Sequence, residues 1–193
     1  MKIGVLALQG AFIEHIAALR RLGVNAAEVR LPAQFDGLDG LIIPGGESTT
    51  IGKLAVAYGL IEPLRAFGRE RAIWGTCAGA IFLSNDAHRD QPLLGLMDIQ
   101  VERNHFGRQV ASFETDLSVP ELSRVEPGER TFHAVFIRAP LIESVGPSAC
   151  PLARLEDGRI VAARQGNLLA TSFHPELSGD DRFHRYFIEV IPG

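Results

Sequence analysis

The amino-acid sequence predicts an α/β fold of three layers, in which helices flank a mostly parallel central sheet. Up to about residue 90, short apolar runs alternate with segments of helical periodicity, which is typical of parallel strands joined by crossover helices. Farther along, short strands are separated by prolines and turn pairs, which predicts antiparallel strands added in the C-terminal half. A length of 193 residues with 46% hydrophobic residues suits a single domain spanning 1–193.

The first half of the chain is predicted to contain four strands and four helical segments. Three strands are runs that are apolar almost throughout, as expected when both faces of a sheet are covered: 3–8, 40–43 and 72–74. A weaker strand is predicted at 26–31, before Pro32. The first helix starts near Phe12 and stops at Gly23, with one apolar face formed by Ile13, Ile16, Leu19 and Leu22. Further helices are predicted at 62–67, at 78–83, and at 51–58 with a face of Ile51, Leu54, Ala55 and Tyr58.

In the second half, strands are predicted at 99–102, 110–114 and 134–137. The pair Asp157-Gly158 predicts a hairpin that joins Leu155 to a strand at 160–163. A turn at 165–167 leads into one more strand at 168–173. The last segment is a predicted packing helix capped by Asp180 and Asp181, with an apolar face of Phe183, Tyr186, Phe187 and Val190.

Composition and charge exclude several classes of partner and site. The net charge is −4 and no run of lysines or arginines occurs, so neither a nucleic acid nor a membrane is expected as a partner. The two cysteines, Cys77 and Cys150, stand in unrelated settings, and Cys150 before Pro151 is interpreted as structural. The six histidines lack metal-site spacing, so we expect no metal and no cofactor. No signal-peptide or membrane-spanning run is found, and we expect a cytoplasmic location.

A candidate nucleophile lies between the strand at 72–74 and the helix at 78–83, in the sequence Gly75-Thr76-Cys77-Ala78-Gly79. Small residues on both sides of a reactive one are typical of an abrupt turn from strand to helix, where larger side chains would collide. We call residues 75–79 the elbow. A helix N-terminus there would favour the nucleophilic thiolate of Cys77. On these five residues alone, the alternative of a small buried hydrophobic cysteine stays open.

A glycine-rich loop at 44–50 follows the third predicted strand. It is not a phosphate-binding loop, because the spacing from Gly46 to Lys53 is one residue too long and Leu54 replaces the required hydroxyl residue. The carboxylate of Glu47 would also repel phosphate. Since open α/β sheets gather their sites at the carboxyl ends of strands, we expect this loop to contact an oxyanion or the backbone of a substrate.

A base for the thiol is predicted at His174, in the sequence Phe173-His174-Pro175-Glu176. Proline favours an extended residue before it, and extended residues two apart point to the same side, so Glu176 can orient the imidazole. Standing alone, His174 could instead be a surface turn residue. The other histidines are expected to cap or pack (His15) or to be solvated (His88 and His184), while His105 and His133 stay unassigned.

Three of these segments together resemble the class I glutamine amidotransferases, which have a Cys-His-Glu glutaminase triad: 44–49, 75–79 and 173–176. Further blocks narrow the resemblance to the glutaminase subunits of pyridoxal 5′-phosphate synthases: Leu8-Gln9-Gly10 with Glu14-His15, 101–104 with 106–109, and 135–140. The resemblance covers the chain from about residue 3 to residue 176.

The resemblance implies a role for each matching position. Cys77 would attack the side-chain amide of L-glutamine and form a γ-glutamyl thioester, with His174 as base and acid and Glu176 as its orienting partner. The oxyanion would be bound by the backbone N–H groups of Gly46 and Ala78. L-glutamine would be held by Gly46, Glu47, Ser48, Arg103, Ile137 and Arg138. Composition alone would interpret the two arginines as solvated surface residues.

The resemblance also implies a hetero-oligomeric complex with a barrel-shaped synthase subunit that uses the ammonia to make pyridoxal 5′-phosphate. Gln9 and Gly10 would lie where docking of that subunit completes the oxyanion site. Two alternatives remain. A stand-alone intracellular cysteine hydrolase of the protease-like type commonly has a histidine directly after the cysteine, where this chain has Ala78. A non-catalytic regulatory partner subunit is disfavoured by the complete set of Cys77, His174 and Glu176.

Overall fold

The computed structural model describes residues 1–103, 112–128 and 130–189. Strands and helices alternate through the first half: β1 Lys2–Leu6, α1 Phe12–Arg21, β2 Asn25–Val29, β3 Gly40–Ile43, α2 Ser48–Ala57, α3 Ile61–Glu70, β4 Ala72–Thr76 and α4 Ala78–Leu83. The second half is mostly strands: β5 Ser84–Asp86, β6 Met97–Glu102, β7 Ser112–Leu117, β8 Phe132–Ile137, β9 Leu141–Val145, β10 Cys150–Arg154, β11 Ile160–Gln165, β12 Leu168–Thr171 and, last, the helix α5 Arg182–Glu189. Short 3-10 turns span Pro32–Phe35, Pro120–Arg124 and Pro175–Leu177.

Ten of the described strands form one sheet, in the order β2-β1-β3-β4-β12-β11-β9-β6-β5, with β10 paired to β11. The neighbours from β2 to β12 run parallel. From β12 through β11 and β9 to β6 the pairing is antiparallel. β7 and β8 form a separate antiparallel pair, the β7–β8 ribbon. The predicted sheet, parallel at first and extended by antiparallel strands from the C-terminal half, is confirmed.

Hydrophobic residues cover both faces of the sheet, because successive side chains of a strand point to opposite sides. Ile42 and Trp74 pack on one face with α1 and α5, which contribute Ile16, Leu19, Phe183, Tyr186 and Phe187. Leu41 and Ile73 pack on the other face with α2, α3 and α4, which contribute Ile51, Leu64, Ala78, Ile81 and Phe82. The predicted three layers are therefore present, and nearly every parallel strand is buried as its apolar run indicated.

The parallel strands end side by side at one edge of the sheet. Leu41 of β3 pairs with Ile73 of β4, and Thr76 at the end of β4 pairs with Thr171 at the end of β12. The chain passes from these three ends into residues 44–47, the elbow and residues 172–176. Three segments that are far apart in the sequence are thus brought together by strand pairing alone.

Several predicted element boundaries and faces differ from the structure. Ile13 is 64% exposed and Tyr58 is 50% exposed, because α1 buries His15, Ile16, Ala18 and Leu19 and α2 ends before Tyr58. At 100° per residue, Ile13 lies on the opposite side of α1 from that buried face. β9 was not predicted as a strand, since Pro140 and Pro147 suggested loops. The hairpin predicted through Asp157-Gly158 is present as the antiparallel pair of β10 and β11. Pro151 is tolerated in β10 because, among the described strands, β10 pairs on one side only, with β11.

Val110 and Val190, which belong to a predicted strand and helix face, lie outside the described residues, as do His105 and residues 106–109 of the family motif. The remainder of the last helix agrees with its prediction, and Asp180 accepts a hydrogen bond of 3.0 Å from the Arg182 amide at its start. A search of the described helices found none with the length and apolarity needed to span a membrane.

Candidate active site

The elbow is a sharp turn between β4 and α4 that places Cys77 at the N-terminus of α4. Cys77 has a φ of 49° and a ψ of −107°, a conformation that L-residues rarely adopt. A Cβ at Gly75 would lie 2.5 Å from the Gly79 carbonyl, and a Cβ at Gly79 would lie 2.0 Å from the Ile43 oxygen. Only glycine fits at either position, as the motif predicted. Strain held this firmly at a reactive residue is typical of a functional site.

The thiol of Cys77 faces a pocket, although the residue as a whole is only 6% exposed. Its backbone N–H donates to the Thr171 oxygen at 2.7 Å, which ties the elbow to β12. Its Sγ lies 4.0 Å from the Ile137 oxygen. The next amide, that of Ala78, opens α4 and has no partner within the helix by its position, so it is available to an anion beside the thiol.

His174 lines the pocket and lies between Cys77 and Glu176. Its Nδ1 lies 2.7 Å from Glu176 Oε1, so Nε2 remains for Cys77. The prediction that His174 and Glu176 project together agrees with this geometry, but by another route: the Pro175–Leu177 turn, not an extended strand, brings the carboxylate to the ring. Burial acts to lower the pKa of His174, and the contacts with Cys77 and Glu176 outweigh it and raise that pKa to about 10.

Two further histidines lie behind the carboxylate of Glu176. His15 Nε2 is 3.3 Å from Glu176 Oε2 and 3.2 Å from Thr76 Oγ1, and His15 Nδ1 is 3.0 Å from His184 Nε2. The prediction that His184 is solvated is wrong, since His184 is 0% exposed and packs on Trp74. Burial lowers the pKa of both rings, that of His184 to about 4. The expectation that His15 packs agrees with its full burial.

A cavity of about 390 Å³ opens over Cys77. Its wall includes eleven of the twelve predicted site residues: Gln9, Gly10, Gly46, Glu47, Ser48, Cys77, Ala78, Arg103, Ile137, Arg138 and His174. The twelfth, Glu176, is buried behind His174. The other wall residues were not named as site residues, although Gly45 lies in the loop at 44–50 that was expected to contact the substrate: Ala11, Glu14, Gly45, Ile81, Pro140 and Leu177.

Opposite charges meet on the wall of this cavity. The guanidinium of Arg103 forms an ion pair with the carboxylate of Glu47, which also caps α2 by accepting the Thr50 N–H at 2.8 Å. Burial acts to raise the pKa of Glu47, but hydrogen bonds from Thr49 and Thr50 and the charge of Arg103 outweigh it and hold that pKa at about 2. Glu47 is therefore ionised at neutral pH. Glu14 and Arg138 also line the cavity, so besides His174 its wall carries two acidic and two basic side chains.

Gln9 and Gly10 pack directly on the glycine-rich loop. Gln9 Oε1 accepts the Glu47 N–H at 2.7 Å, and the Ala11 N–H donates to the Gly45 oxygen at 3.1 Å. A Cβ at Gly10, whose φ is 98°, would lie 1.8 Å from that same Gly45 oxygen. Any movement of Gln9 and Gly10 would therefore change the backbone of the loop that borders Cys77.

The remaining predicted residues have separate surroundings. Ile137 ends β8, and Arg138 follows it with a φ of 44°; both residues are exposed. His88 is exposed, as predicted, and contacts Glu143 at 2.7 Å. His133 lies on the β7–β8 ribbon between Glu114 and Asp116. Cys150 is exposed on β10. Within residues 1–103, 112–128 and 130–189, no group of three or more metal-ligating side chains was found.

Comparisons with known proteins agree with this geometry. A family model described as the SNO glutamine amidotransferase family matches residues 5–192. The chain is 57% identical over 194 residues to the pyridoxal 5′-phosphate synthase subunit PdxT of Roseiflexus castenholzii, with 98% of this chain and 100% of the relative covered. It is 60% identical over 193 residues to the protein of the same name from Herpetosiphon aurantiacus, covering 97% and 99%. A solved structure described as a glutamine amidotransferase superposes with a TM-score of 0.91 at 51% identity, with 99% of each chain covered.

Proposed function

The chain belongs to the SNO glutamine amidotransferase family, and from this we propose that it is the glutaminase subunit of a pyridoxal 5′-phosphate synthase. It hydrolyses L-glutamine to L-glutamate and ammonia, and a separate synthase subunit uses the ammonia. The observation that carries the proposal is the strained Cys77, in contact with a His174 whose other ring nitrogen is 2.7 Å from Glu176. This is the arrangement of a nucleophile, an acid-base residue and an orienting carboxylate.

In the first step, Cys77 attacks the side-chain carbonyl carbon of L-glutamine as a thiolate. The negative charge that develops on the amide oxygen is met by the backbone N–H groups of Gly46 and Ala78, in the role that the resemblance gave them. Because the pKa of His174 is raised to about 10, this ring carries a proton at neutral pH and can donate it to the departing nitrogen. Ammonia leaves, and a γ-glutamyl thioester remains on Cys77.

In the second step, neutral His174 accepts a proton from a water molecule, which attacks the thioester carbon. The C–S bond breaks, Cys77 returns to the thiolate and His174 keeps the proton that it has taken. Glutamate is released after its new carboxylic acid loses a proton to solvent. Glu176 holds the ring of His174 in the same orientation through both steps.

Charged side chains of the cavity wall suit the two charges of the substrate backbone. Glu47 is an anion that can accept the α-ammonium group, and Arg103 and Arg138 are cations suited to the α-carboxylate. In the structure, Glu47 and Arg103 pair with each other. Substrate binding would replace that ion pair, with Glu47 contacting the α-ammonium group and Arg103 the α-carboxylate. Gly46, Ser48 and Ile137 also line the cavity.

The partner is a synthase subunit that docks over Gln9 and Gly10, and we take it to be barrel-shaped, as the sequence resemblance implied. The support is the hydrogen bond from the Glu47 N–H to Gln9 Oε1 and the one from the Ala11 N–H to the Gly45 oxygen. A subunit that contacts Gln9 can thereby reach the loop that carries the Gly46 amide. One glutamine amidotransferase domain spanning 1–193 is proposed, and the family match over 5–192 supports it. A cytoplasmic location is also proposed, because the thiol of Cys77 must stay reduced.

The test is glutamate release from L-glutamine, measured with the purified chain alone, with a pyridoxal 5′-phosphate synthase subunit added, and with Cys77→Ala in both settings. We expect release that the synthase subunit stimulates and that Cys77→Ala abolishes. A full rate without the synthase subunit would favour a stand-alone cysteine hydrolase over a docked subunit. No release even with the synthase subunit would favour a non-catalytic regulatory subunit, and release that survives in Cys77→Ala would exclude this nucleophile.

A further inference from the structure

The carboxylate of Glu176 has two oxygens in different surroundings. Oε1 contacts His174 Nδ1 at 2.7 Å, and the side chain of Glu176 is 0% exposed. Among the described residues, Oε2 makes no hydrogen bond with full geometry, and its contact is His15 Nε2 at 3.3 Å. A buried carboxylate oxygen without a donor is unfavourable, because it has lost its contacts with water. The position of Glu176 therefore depends on what His15 presents to it.

His15 can hold its proton on either ring nitrogen, and the neighbours distinguish the two tautomers. With the proton on Nε2, His15 presents an N–H to Glu176 Oε2 and Thr76 Oγ1, and Nδ1 accepts from His184 Nε2, 3.0 Å away. With the proton on Nδ1, a lone pair would face the carboxylate. His184 Nδ1, which has no partner among the described residues, would then be an unpaired buried donor. The first tautomer is favoured on both counts.

The charges around the three histidines agree with a neutral His15. Burial lowers the pKa of His15, and the charges of His184 and His174 lower it further. The pKa of His184, on α5, is lowered mainly by burial. The charge of Asp181 acts to raise this pKa and that of Arg21 to lower it, and both effects are smaller than that of burial. His174 faces Cys77 from the elbow and Glu176 from the turn after β12. One positive charge, on His174, thus faces the carboxylate of Glu176, and the neutral ring of His15 contributes only its N–H dipole.

We propose that His15 is a positioning residue for the glutaminase reaction: its Nε2–H holds the outer oxygen of Glu176, and His184 fixes the tautomer that provides this proton. The proposal rests on the function proposed above. His15 is absent from the wall of the cavity and does not touch the substrate site. It acts through Glu176, which in turn orients His174. Helices α1 and α5, which carry His15 and His184, thereby stabilise the triad from behind the sheet edge.

The test compares His15→Met with His15→Gln, each assayed for glutamate release in the complex with a synthase subunit. Methionine fills the space without a donor, whereas a glutamine amide can donate from about the same distance as Nε2. We expect kcat to fall about 10- to 100-fold in His15→Met with KM unchanged, and to recover in large part in His15→Gln. His184→Met should lower kcat in the same direction by less.

The pH profile distinguishes positioning from packing. If Glu176 loses its orientation in His15→Met, its contribution to the raised pKa of His174 weakens, and the alkaline limb of kcat moves down by about one pH unit. An unchanged kcat and limb in His15→Met would overturn the proposal. The proposal would also be overturned if kcat fell equally in His15→Met and His15→Gln while the alkaline limb stayed at its wild-type pH. A wild-type protein without activity would instead contradict the proposed function. The role of His15 would then be tested by the NMR measurement described next.

A second measurement needs neither activity nor a variant. Proton–nitrogen NMR correlation spectra of the imidazole rings report which nitrogen of a neutral histidine carries the proton. We expect both His15 and His184 to be protonated at Nε2. A proton on His15 Nδ1 would overturn the proposal even if His15→Met failed to fold.

Discussion

Two regions of the molecule hold a histidine against carboxylates, one buried beside Cys77 and the other exposed on the β7–β8 ribbon. His174 Nδ1 lies 2.7 Å from Glu176, and its side chain is 10% exposed. His133 lies 2.9 Å from both Glu114 and Asp116, and its side chain is 48% exposed. Hydrogen bonds to Glu114 and then Asp116 raise the pKa of His133. His133 has two carboxylate partners where His174 has one, although the contact of His174 is the shortest of the three.

What differs is the surrounding medium. Solvent and salt screen a charge pair on the ribbon, so the pair changes little else in the protein. Behind the cavity, the same kind of contact lies in a low-dielectric environment, where a charge interaction is several times stronger. There it sets the protonation state and the direction of a ring that touches a nucleophile. Burial, more than the count of partners, makes one of these histidines suitable for catalysis.

The largest effect is expected from removing one carboxylate from each histidine. Glu176→Gln should lower kcat for glutamate release by about 10²- to 10⁴-fold, because His174 loses the group that orients it and stabilises its positive charge. Asp116→Asn makes the matched change at His133 and should leave kcat as in wild type. Comparable losses in the two variants would show that burial is not what separates the sites.

A second prediction tests how tightly the buried ring is held. A Cβ at Gly45 would lie 2.5 Å from His174 Cε1 and 3.2 Å from Cys77 Cβ, so Gly45→Ala must displace the ring. A displacement of about 1 Å lowers a rate by about 100-fold, and we expect a loss of that size in kcat. Gly23→Ala is the control: it has open space but a φ of 75°, so it should reduce stability by about 1–2 kcal/mol and leave kcat intact. Wild-type kcat in Gly45→Ala would mean that the site tolerates ring movement.

The same two regions show what the sequence can predict. The elbow and the sequence 173–176 are local motifs, so they can be recognised from residues adjacent in the chain. The strands that end beside them could likewise be predicted from the apolar residues of their own segments. His15 and His184 are 169 positions apart, and their contact exists only because α1 and α5 pack on one face of the sheet. His184 has charged neighbours in sequence, so no local pattern indicated its burial. The same limit explains Ile13, whose exposure depends on where α1 rests.

A third prediction concerns alkaline pH. The pKa of His174 is about 10 in the folded protein against an ordinary 6.5, so its pairing stabilises the fold fully below pH 6.5 and is lost as pH rises through about 10. The stability difference between wild type and His174→Gln, from urea unfolding, should therefore shrink over that window. In the wild-type complex, kcat should fall over the upper part of this pH window, because His174 can no longer protonate the departing amide nitrogen. His133→Gln should follow the wild-type curve. A kcat that falls near pH 7 would contradict the raised pKa of His174.

The smallest effect is expected from salt, and it separates the two histidines without any mutation. NMR titration of His133 at low ionic strength should give a pKa above 6.5, and high salt should bring it back towards 6.5, because both carboxylates that raise it are exposed to solvent. The pKa of His174 should barely respond, since Glu176 is fully buried. The stabilisation that His133 provides is likewise present below the ordinary pKa and lost as pH rises through the raised one. If high salt changed the pKa of His174 as much as that of His133, solvent would reach the contact between His174 and Glu176. Burial would then not distinguish the two histidines.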